Sequence, residues 1–397
     1  MDKRLLVLAC GMFAIGTDSF VVSGLLRQVS VSLGVSIALA GQMVTVFALS
    51  YALLSPVVAA AAAHWPRKRL LLAGLAVLVV GDILTAVAPT IKLVLASRLL
   101  SGLAAAMFSP TASATAASLA VPEQRGRALS IVITGLSCGT AFGAPLGVFV
   151  GGLLDWRATM WFAAGLGTLA WTGVALLLSD TPSAPVVDLA RRLAPLRDTR
   201  VVLTLLTILL VFTGLFIVHT YIDPSFDRVT GGNQGILAAL LLLRGVAATA
   251  GSLVAGRLTD RFGSRGIINA AAAILFLDFA LLPWTSTSLT TAAPALVVWG
   301  LFGWGLLVPQ QLRLIGITPS AAPLLLGLNQ TAIYLAVSAS GVLGGAAVTW
   351  FDHHTLGIIS AVFIGAGLVT SELAHRHIIR SHGSMTSSAA IPSGNIP

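Results

Sequence analysis

VVLTLLTILLVFTGLFIVHTY, residues 201–221, contains no Asp, Glu, Lys or Arg and no strict alternation of apolar with polar positions. Rising 1.5 Å per residue, an α-helix of this length crosses about 30 Å of hydrocarbon, whereas a barrel strand needs only about 10 residues. Within hydrocarbon every backbone amide must be bonded internally, which restricts the choice to helices or closed barrels. Length and composition select the helix. Outward from this stretch, similar apolar windows centre on residues 6–25, 42–63, 70–89, 92–119, 129–153, 159–178, 236–256, 267–284, 290–312, 323–349 and 356–374. With 201–221 they make twelve.

The rest of the composition agrees. Of 397 residues, 56% are hydrophobic and 9% charged, where a soluble domain carries roughly 25% charge. A mean hydropathy of +0.95 leaves too little polar surface to cover one soluble core. The expected fold class is therefore an all-α membrane protein whose twelve transmembrane helices form two pseudo-symmetric six-helix bundles. Residues 1–179 make the amino-terminal bundle and 201–375 the carboxyl-terminal one. Between them lies a charged, Pro-rich linker, 180–200 (DTPSAPVVDLARRLAPLRDTR), and residues 376–397 form a tail whose composition from 381 onward is that of a disordered end. The start, Met1-Asp2-Lys3-Arg4 before an apolar run, reads as the first span because the run is too long for a signal peptide and lacks its small-residue cleavage pattern.

The net charge of +9 is explained by position. Twelve alternating spans place sixteen of the 23 Lys and Arg in connections on the side of the termini, among them Arg67–Arg69, Arg191, Arg192 and Arg257–Arg265; only Arg27, Lys92, Arg157 and Arg228 fall on the other side. By the positive-inside rule both termini are cytoplasmic. No basic run is interleaved with aromatics, so nucleic-acid binding is not expected. The two cysteines, Cys10 and Cys138, fall inside spans and read as free thiols.

The halves echo each other. Gly147-Val148, Gly151-Gly152 and Asp155-Trp156 end the fifth span; Gly341-Val342, Gly344-Gly345 and Trp350-Phe351-Asp352 end the eleventh. Asp82 lies 13 residues beyond Arg69, and Asp278 lies 13 beyond Arg265. Repeats of six spans imply a transporter with its site between two related bundles.

GRLTDRFGSR (Gly256–Arg265) resembles the loop signature of the major facilitator superfamily. Arg98 with Gly102 is similar to its fourth-helix motif, and Gly139, Gly143, Ala144, Pro145 and Gly147 to the fifth-helix motif of its proton-driven exporters. GTDSFVVSGLL (16–26), His64-Trp65-Pro66-Arg67-Lys68-Arg69 and LNQTAIYLAVSASGVLGG (328–345) resemble the bacterial drug:proton antiporter branch that contains chloramphenicol and sugar efflux proteins. One departure stands out: Ala63 occupies the register position of Asp260. The resemblance implies a monomeric inner-membrane antiporter that exchanges protons for a small molecule, a phenicol-like antibiotic first among them. The alternative is a proton-coupled sugar, nucleoside or metabolite transporter of the same fold.

Charges within spans cost several kcal/mol and tend to face cavities. The candidates are Asp18, Asp82, Arg98, Arg244 and Asp278, with His219, Asp223 and Arg313 nearer span ends. Asp18 and Arg98 lie at similar depth in spans that line the central cavity of the resembled fold. Asp18 is read as the proton-exchanging acid, Arg98 as its fixed partner and Asp82 as a second, more peripheral acid. The alternative role for the Asp18–Arg98 pair is a static ion pair. His219 is read as a hydrated helix-end residue. Phe13, Tyr51, Phe108, Phe216, Arg244, Trp304, Asn329, Gln330 and Tyr334 are the candidate substrate contacts, aromatic faces and amides that suit an amphipathic ligand. Asp260, Arg261 and Arg265 are expected to form a conformational latch. Gly139, Gly143 and Gly147, at i, i+4 and i+8, form a small-residue packing stripe that Pro145 bends. No GxxxxGK[ST] loop is present, so ATP coupling is not supported. The histidines, mostly His353, His354, His375, His377 and His382, show no ligand spacing on one helix. Neither a metal site, a cofactor nor an enzyme is expected.

Overall fold

The computed structural model describes residues 2–62, 64–121, 124–179 and 193–388; Ala63, most of the expected linker with Arg191 and Arg192, and the end of the tail lie outside them. Among the described residues, eleven continuous helices are long and apolar enough to cross a membrane. The longest, Gln234–Thr285, is two spans joined at Gly263, whose φ of +76° and ψ of 156° end one helix and start the next. Glycine tolerates that conformation because it has no Cβ. The spans are α1 (Lys3–Val21), α2 (Ile37–Ala61), α3 (Arg67–Val87), α4 (Ile91–Leu119), α5 (Arg125–Leu153) and α6 (Trp156–Leu177). The second half comprises α7 (Thr199–Thr220), α8 (234–262), α9 (264–285), α10 (Leu289–Ile317), α11 (Ala322–Trp350) and α12 (Leu356–Ser388). Twelve alternating passes bring both chain ends to one face, here called terminal; the opposite face is distal. Helix α12 runs on to Ser388, past residue 381 where composition marks a disordered tail.

The two bundles are wired alike. In the first, α1 packs on α5 and α6, α2 on α4, and α3 on α4 and α6; in the second, α7 packs on α11 and α12. The halves meet where α2 lies on α11 and α5 on α8, an exchange of equivalent helices. The sequence echo has a local cause as well. Asp155 caps α6 by accepting from the Ala158 amide at 2.8 Å, and Asp352 accepts from the His354 amide at 2.9 Å at the start of α12. Each satisfies a helix-end donor that has no intrahelical partner.

Between helices in lipid the hydrophobic effect offers no drive, so close packing of small residues carries association. On α5 the stripe is longer than the expected three glycines. A Cβ at Gly135 would strike the Ala9 carbonyl, at Gly139 the Phe13 carbonyl, at Gly143 the Thr17 hydroxyl, at Gly147 Val21 and at Gly151 Leu25. All five partners lie on α1 or its short continuation. Gly139–Gly143 forms a π-helical turn just before Pro145. Proline has no N–H to donate and crowds the carbonyl four residues back, and the widened turn relieves both.

Candidate functional site

Three of the charges expected to act together do meet. The Nη1 of Arg98 donates to Asp18 Oδ1 at 2.6 Å and lies 3.8 Å from Asp82 Oδ1. Its Nη2 reaches the Asp18 carbonyl at 3.4 Å, and the guanidinium sits over the Phe47 ring at 4.9 Å. Asp18 and Asp82 are 0% exposed and Arg98 1%. Asp82 is therefore no peripheral acid: α3 carries it into the packed interior beside α4. Asp18 Oδ2 and both Asp82 oxygens accept no hydrogen bond among the described residues. Two carboxylates thus share one guanidinium in a dry setting, where an uncompensated charge is costly.

Beside this triad the halves close on the distal side. Tyr51 of α2 stacks on Tyr334 of α11 with ring centres 3.9 Å apart. Gln42 donates to the Gly341 carbonyl at 3.2 Å, and glycines 41, 344 and 345 let the Tyr221 ring slot between α2 and α11. Phe20 of α1 stacks on Phe216 of α7 at 5.8 Å and meets Trp304 of α10 edge-on at 6.5 Å. On the terminal side of these contacts α5 and α8 part. They leave a cavity of about 190 Å³ whose wall includes Ser137, Thr140, Arg244, Thr249, Ser252 and Trp304.

A second buried polar group lies at the head of that cavity. Arg244 sits over the Trp299 ring at 4.9 Å, and its Nε has no partner among the described residues. His219 is 3% exposed, boxed by Phe20, Phe216 and Trp299 at 5.4–6.2 Å, and neither ring nitrogen has a partner among the described residues. The hydrated helix-end residue expected from sequence is thus a buried one. Its position near the end of α7 is misleading because rings from α7 and from two other elements, Phe216, Phe20 and Trp299, enclose it. Asn329, 0% exposed, also leaves both side-chain atoms without a partner among the described residues. Arg244 and His219, which share a lining with Trp299 and Trp304, together present donors to whatever enters; Asn329 is buried apart from them on α11.

The profile of the Major Facilitator Superfamily matches residues 8–340. The chain belongs to that superfamily. It is 28% identical over 377 residues to an uncharacterized MFS-type transporter, YbcL, of Bacillus subtilis, covering 93% of this chain and 96% of that one. It is 27% identical to the inner membrane transport protein YdhP of Escherichia coli, covering 93% of this chain and 95% of that one. A chloramphenicol resistance protein of Streptomyces lividans is 32% identical over 267 residues, 66% of this chain and 68% of that one. Among solved structures, the nucleoside transporter NupG superposes with a TM-score of 0.77 at 13% identity, covering 94% of this chain and all of that one. The protein is thus a multi-pass membrane transporter of small molecules, and its relatives include proteins of bacterial inner membranes.

The superfamily loop at 256–265 is only partly a latch here. Arg265 holds Glu372 of α12 through two bonds of 3.1 and 2.8 Å, and Asn269 donates to the same carboxylate at 3.3 Å. Asp260 and Arg261 are exposed; Arg261 lies over the adjacent Phe262 ring, and Asp260 makes no ion pair among the described residues. Both ends of the Arg265–Glu372 pair belong to the second half. Arg313 of α10 reinforces them, donating to the Ser371 carbonyl at 2.7 Å. Ala63, the amino-half counterpart of Asp260, lies outside the described residues. Of the expected substrate contacts, Phe108 is placed elsewhere. Its ring fills the space over Gly11 inside the amino-terminal bundle and is fully buried there. Phe13 and Gln330 are half-buried, and Asp278 stands apart on α9. Trp299, Phe20 and Glu372 are not among the residues that the sequence singles out; their place at the site comes from packing between helices.

Proposed function

We propose that this transporter is a proton-coupled exporter of small lipophilic compounds that carry hydrogen-bond acceptors, antibiotics of the phenicol kind being the first to test. The observation that carries this is the sharing of Arg98 by Asp18 and Asp82. One guanidinium neutralises one carboxylate, so the neutral form of the triad holds one proton. A step that hydrates the triad from one side releases that proton, and a step that reseals it takes a proton up. Orientation follows from the basic residues, with the terminal face in the cytoplasm of a bacterial inner membrane. The conformation described is then closed to the outside, with its cavity toward the cytoplasm. Arg244 and His219 offer donors to the compound, and Phe216, Trp304 and the Tyr51–Tyr334 pair offer apolar faces. The present 190 Å³ is below the roughly 300–1,000 Å³ of drug-sized sites; loading therefore requires α5 and α8 to move apart. The likeness to the chloramphenicol resistance protein supports the substrate class.

One charge across 100 mV supplies about 2.3 kcal/mol, roughly a fiftyfold gradient. The protein is expected to work as a monomer. The test uses proteoliposomes containing the purified full-length chain, radiolabelled chloramphenicol and an imposed pH difference. Accumulation that follows the pH difference, collapses with a protonophore and is lost in Asp18→Asn supports the proposal. Equal movement with and without the pH difference, or an Asp18→Asn protein as active as the parent, rejects proton coupling. Movement of sugars or nucleosides but no phenicol would leave the coupling and replace the substrate class.

A further inference from the structure

We propose that Asp227, His353 and His354 form a binding site for a divalent transition metal of the Zn²⁺ class on the distal face, beside the ion pair that joins the two halves there. Asp227 comes from the connection between α7 and α8, and the two histidines from the turn between α11 and α12. One ligand atom from each residue, a carboxylate oxygen and two imidazole nitrogens, lies within 4.8 Å of the others. His354 Nε2 is 2.8 Å from Asp227 Oδ1, and His353 Nε2 is 3.3 Å from Asp227 Oδ2. Ligands 2.0–2.1 Å from a tetrahedral Zn²⁺ stand roughly 3.3 Å apart. Small rotations of the three side chains therefore close the site around an ion, with a fourth position left for water.

A second observation points to a ligand. The outer nitrogen of one of these imidazoles is already oriented: His354 Nδ1 is 2.7 Å from Asp352 Oδ1, while His353 Nδ1 lies 3.6 Å from the same oxygen, beyond hydrogen-bond distance. A carboxylate behind a histidine keeps the proton on Nδ1, so a metal that displaces the Nε2 proton now shared with Asp227 meets the Nε2 lone pair, the usual arrangement behind metal-binding imidazoles. Asp352 itself is set in place by capping His354 and Thr355 at the start of α12. Imidazole nitrogens with one carboxylate suit Zn²⁺ and its neighbours, whereas Mg²⁺ and Ca²⁺ prefer all-oxygen sites. The side chains of Asp227, His353 and His354 are 24%, 33% and 12% exposed, open enough for an ion to enter from solvent.

Occupancy has a mechanical consequence. Arg27, just beyond α1, donates to Asp227 Oδ2 at 3.1 Å, the ion pair that joins the two halves among the described residues. A dication on Asp227 competes with that guanidinium for one carboxylate and repels it, so metal binding and distal closure oppose each other. This inference is independent of the transported compound and of proton coupling.

The test titrates the purified, untagged full-length protein with Zn²⁺ at pH 7.5 against a chromogenic chelator. One saturable Zn²⁺ per chain in the micromolar range is expected. The His353→Ala/His354→Ala double variant should lose it, and Asp352→Asn should weaken it by about 10-fold or more through the lost orientation. Arg27→Gln should tighten it by roughly 3-fold or more, because a nearby cation is removed; a merely structural histidine pair has no reason to respond to that change. Absence of saturable binding below about 100 µM, unchanged binding in the double variant, or equal affinity for Mg²⁺ overturns the site.

Discussion

The two halves share a helix plan and differ in what they bury. In the amino-terminal half, α1, α3 and α4 converge on Asp18, Asp82 and Arg98, acids and base in contact. In the carboxyl-terminal half, α7 and α8 bring His219 and Arg244 among aromatic rings, and no acid faces them among the described residues. Asp278, the counterpart of Asp82 by register, is half-buried on α9 and pairs with nothing among the described residues. One half is therefore built to hold and exchange charge internally. The other keeps donors in reserve for a visitor.

Four substitutions and one pH series test that contrast. The largest effect belongs to Arg98→Ala, which strands two carboxylates in the interior; a loss of about 3–5 kcal/mol is expected. It should be read as a collapse of thermal stability in detergent, partly reversed when Asp82→Asn is added. If the single variant melts like the parent, the triad is not the charge-balanced unit described. Next comes the α1–α5 seam. Gly139→Val pushes into the Phe13 carbonyl and should cost about 1–3 kcal/mol in the same melting assay. Arg244→Ala tests the other side of the comparison. With no acid left stranded, stability should fall by less than about 1 kcal/mol, while substrate KM rises roughly tenfold, near 1.4 kcal/mol of lost binding. A stability loss matching that of Arg98→Ala would erase the distinction between the halves.

Smaller effects are expected at the faces. Arg265 is 52% exposed, so Arg265→Ala should alter stability by only about 0–1 kcal/mol, with any larger consequence confined to transport rate. At the distal face, burial pushes the Asp223 carboxyl up to about 6 against the opposing pull of Arg27 and Gln234, with Asp227 adding to the rise. A carboxyl so raised contributes stability that is fully present below its ordinary value near 3.8 and is lost as pH rises through about 6. The melting temperature of the parent minus that of Asp223→Asn should therefore decline between pH 4.5 and 7.5; a flat difference removes Asp223 as a titrating member of the distal seam.

Much of the fold was legible because membrane solvent enforces simple rules. Twelve apolar windows became twelve spans, with starts shifted by a few residues where N-caps such as Ser36, Thr90 and Asp198 lie outside the apolar run. Asp18 and Arg98 were also visible, since a charge in hydrocarbon has few innocent explanations. Asp82 was visible as a charge but not as a neighbour: its contact with Arg98 depends on how α3 and α4 turn about their axes, which no single-helix pattern records. Phe108 shows the reverse error, an aromatic in the right span that faces its own bundle. His353 and His354 have no ligand spacing along any helix, and only the meeting of two distal loops brings Asp227 to them.

By itself the sequence determined the solvent of this protein, the number of its spans, their grouping into two related halves and the positions of the costly buried charges. Each of these follows from a local quantity: apolar length, charge count or spacing. Tertiary structure alone decided which charges touch, which side of the molecule is sealed and which donors remain unused. Those outcomes depend on helix rotation and on contacts between residues 80 to 200 positions apart, such as Asp18 with Arg98 and Arg27 with Asp227. Helix periodicity fixes a face relative to its own axis, and only packing against other helices fixes where that face points.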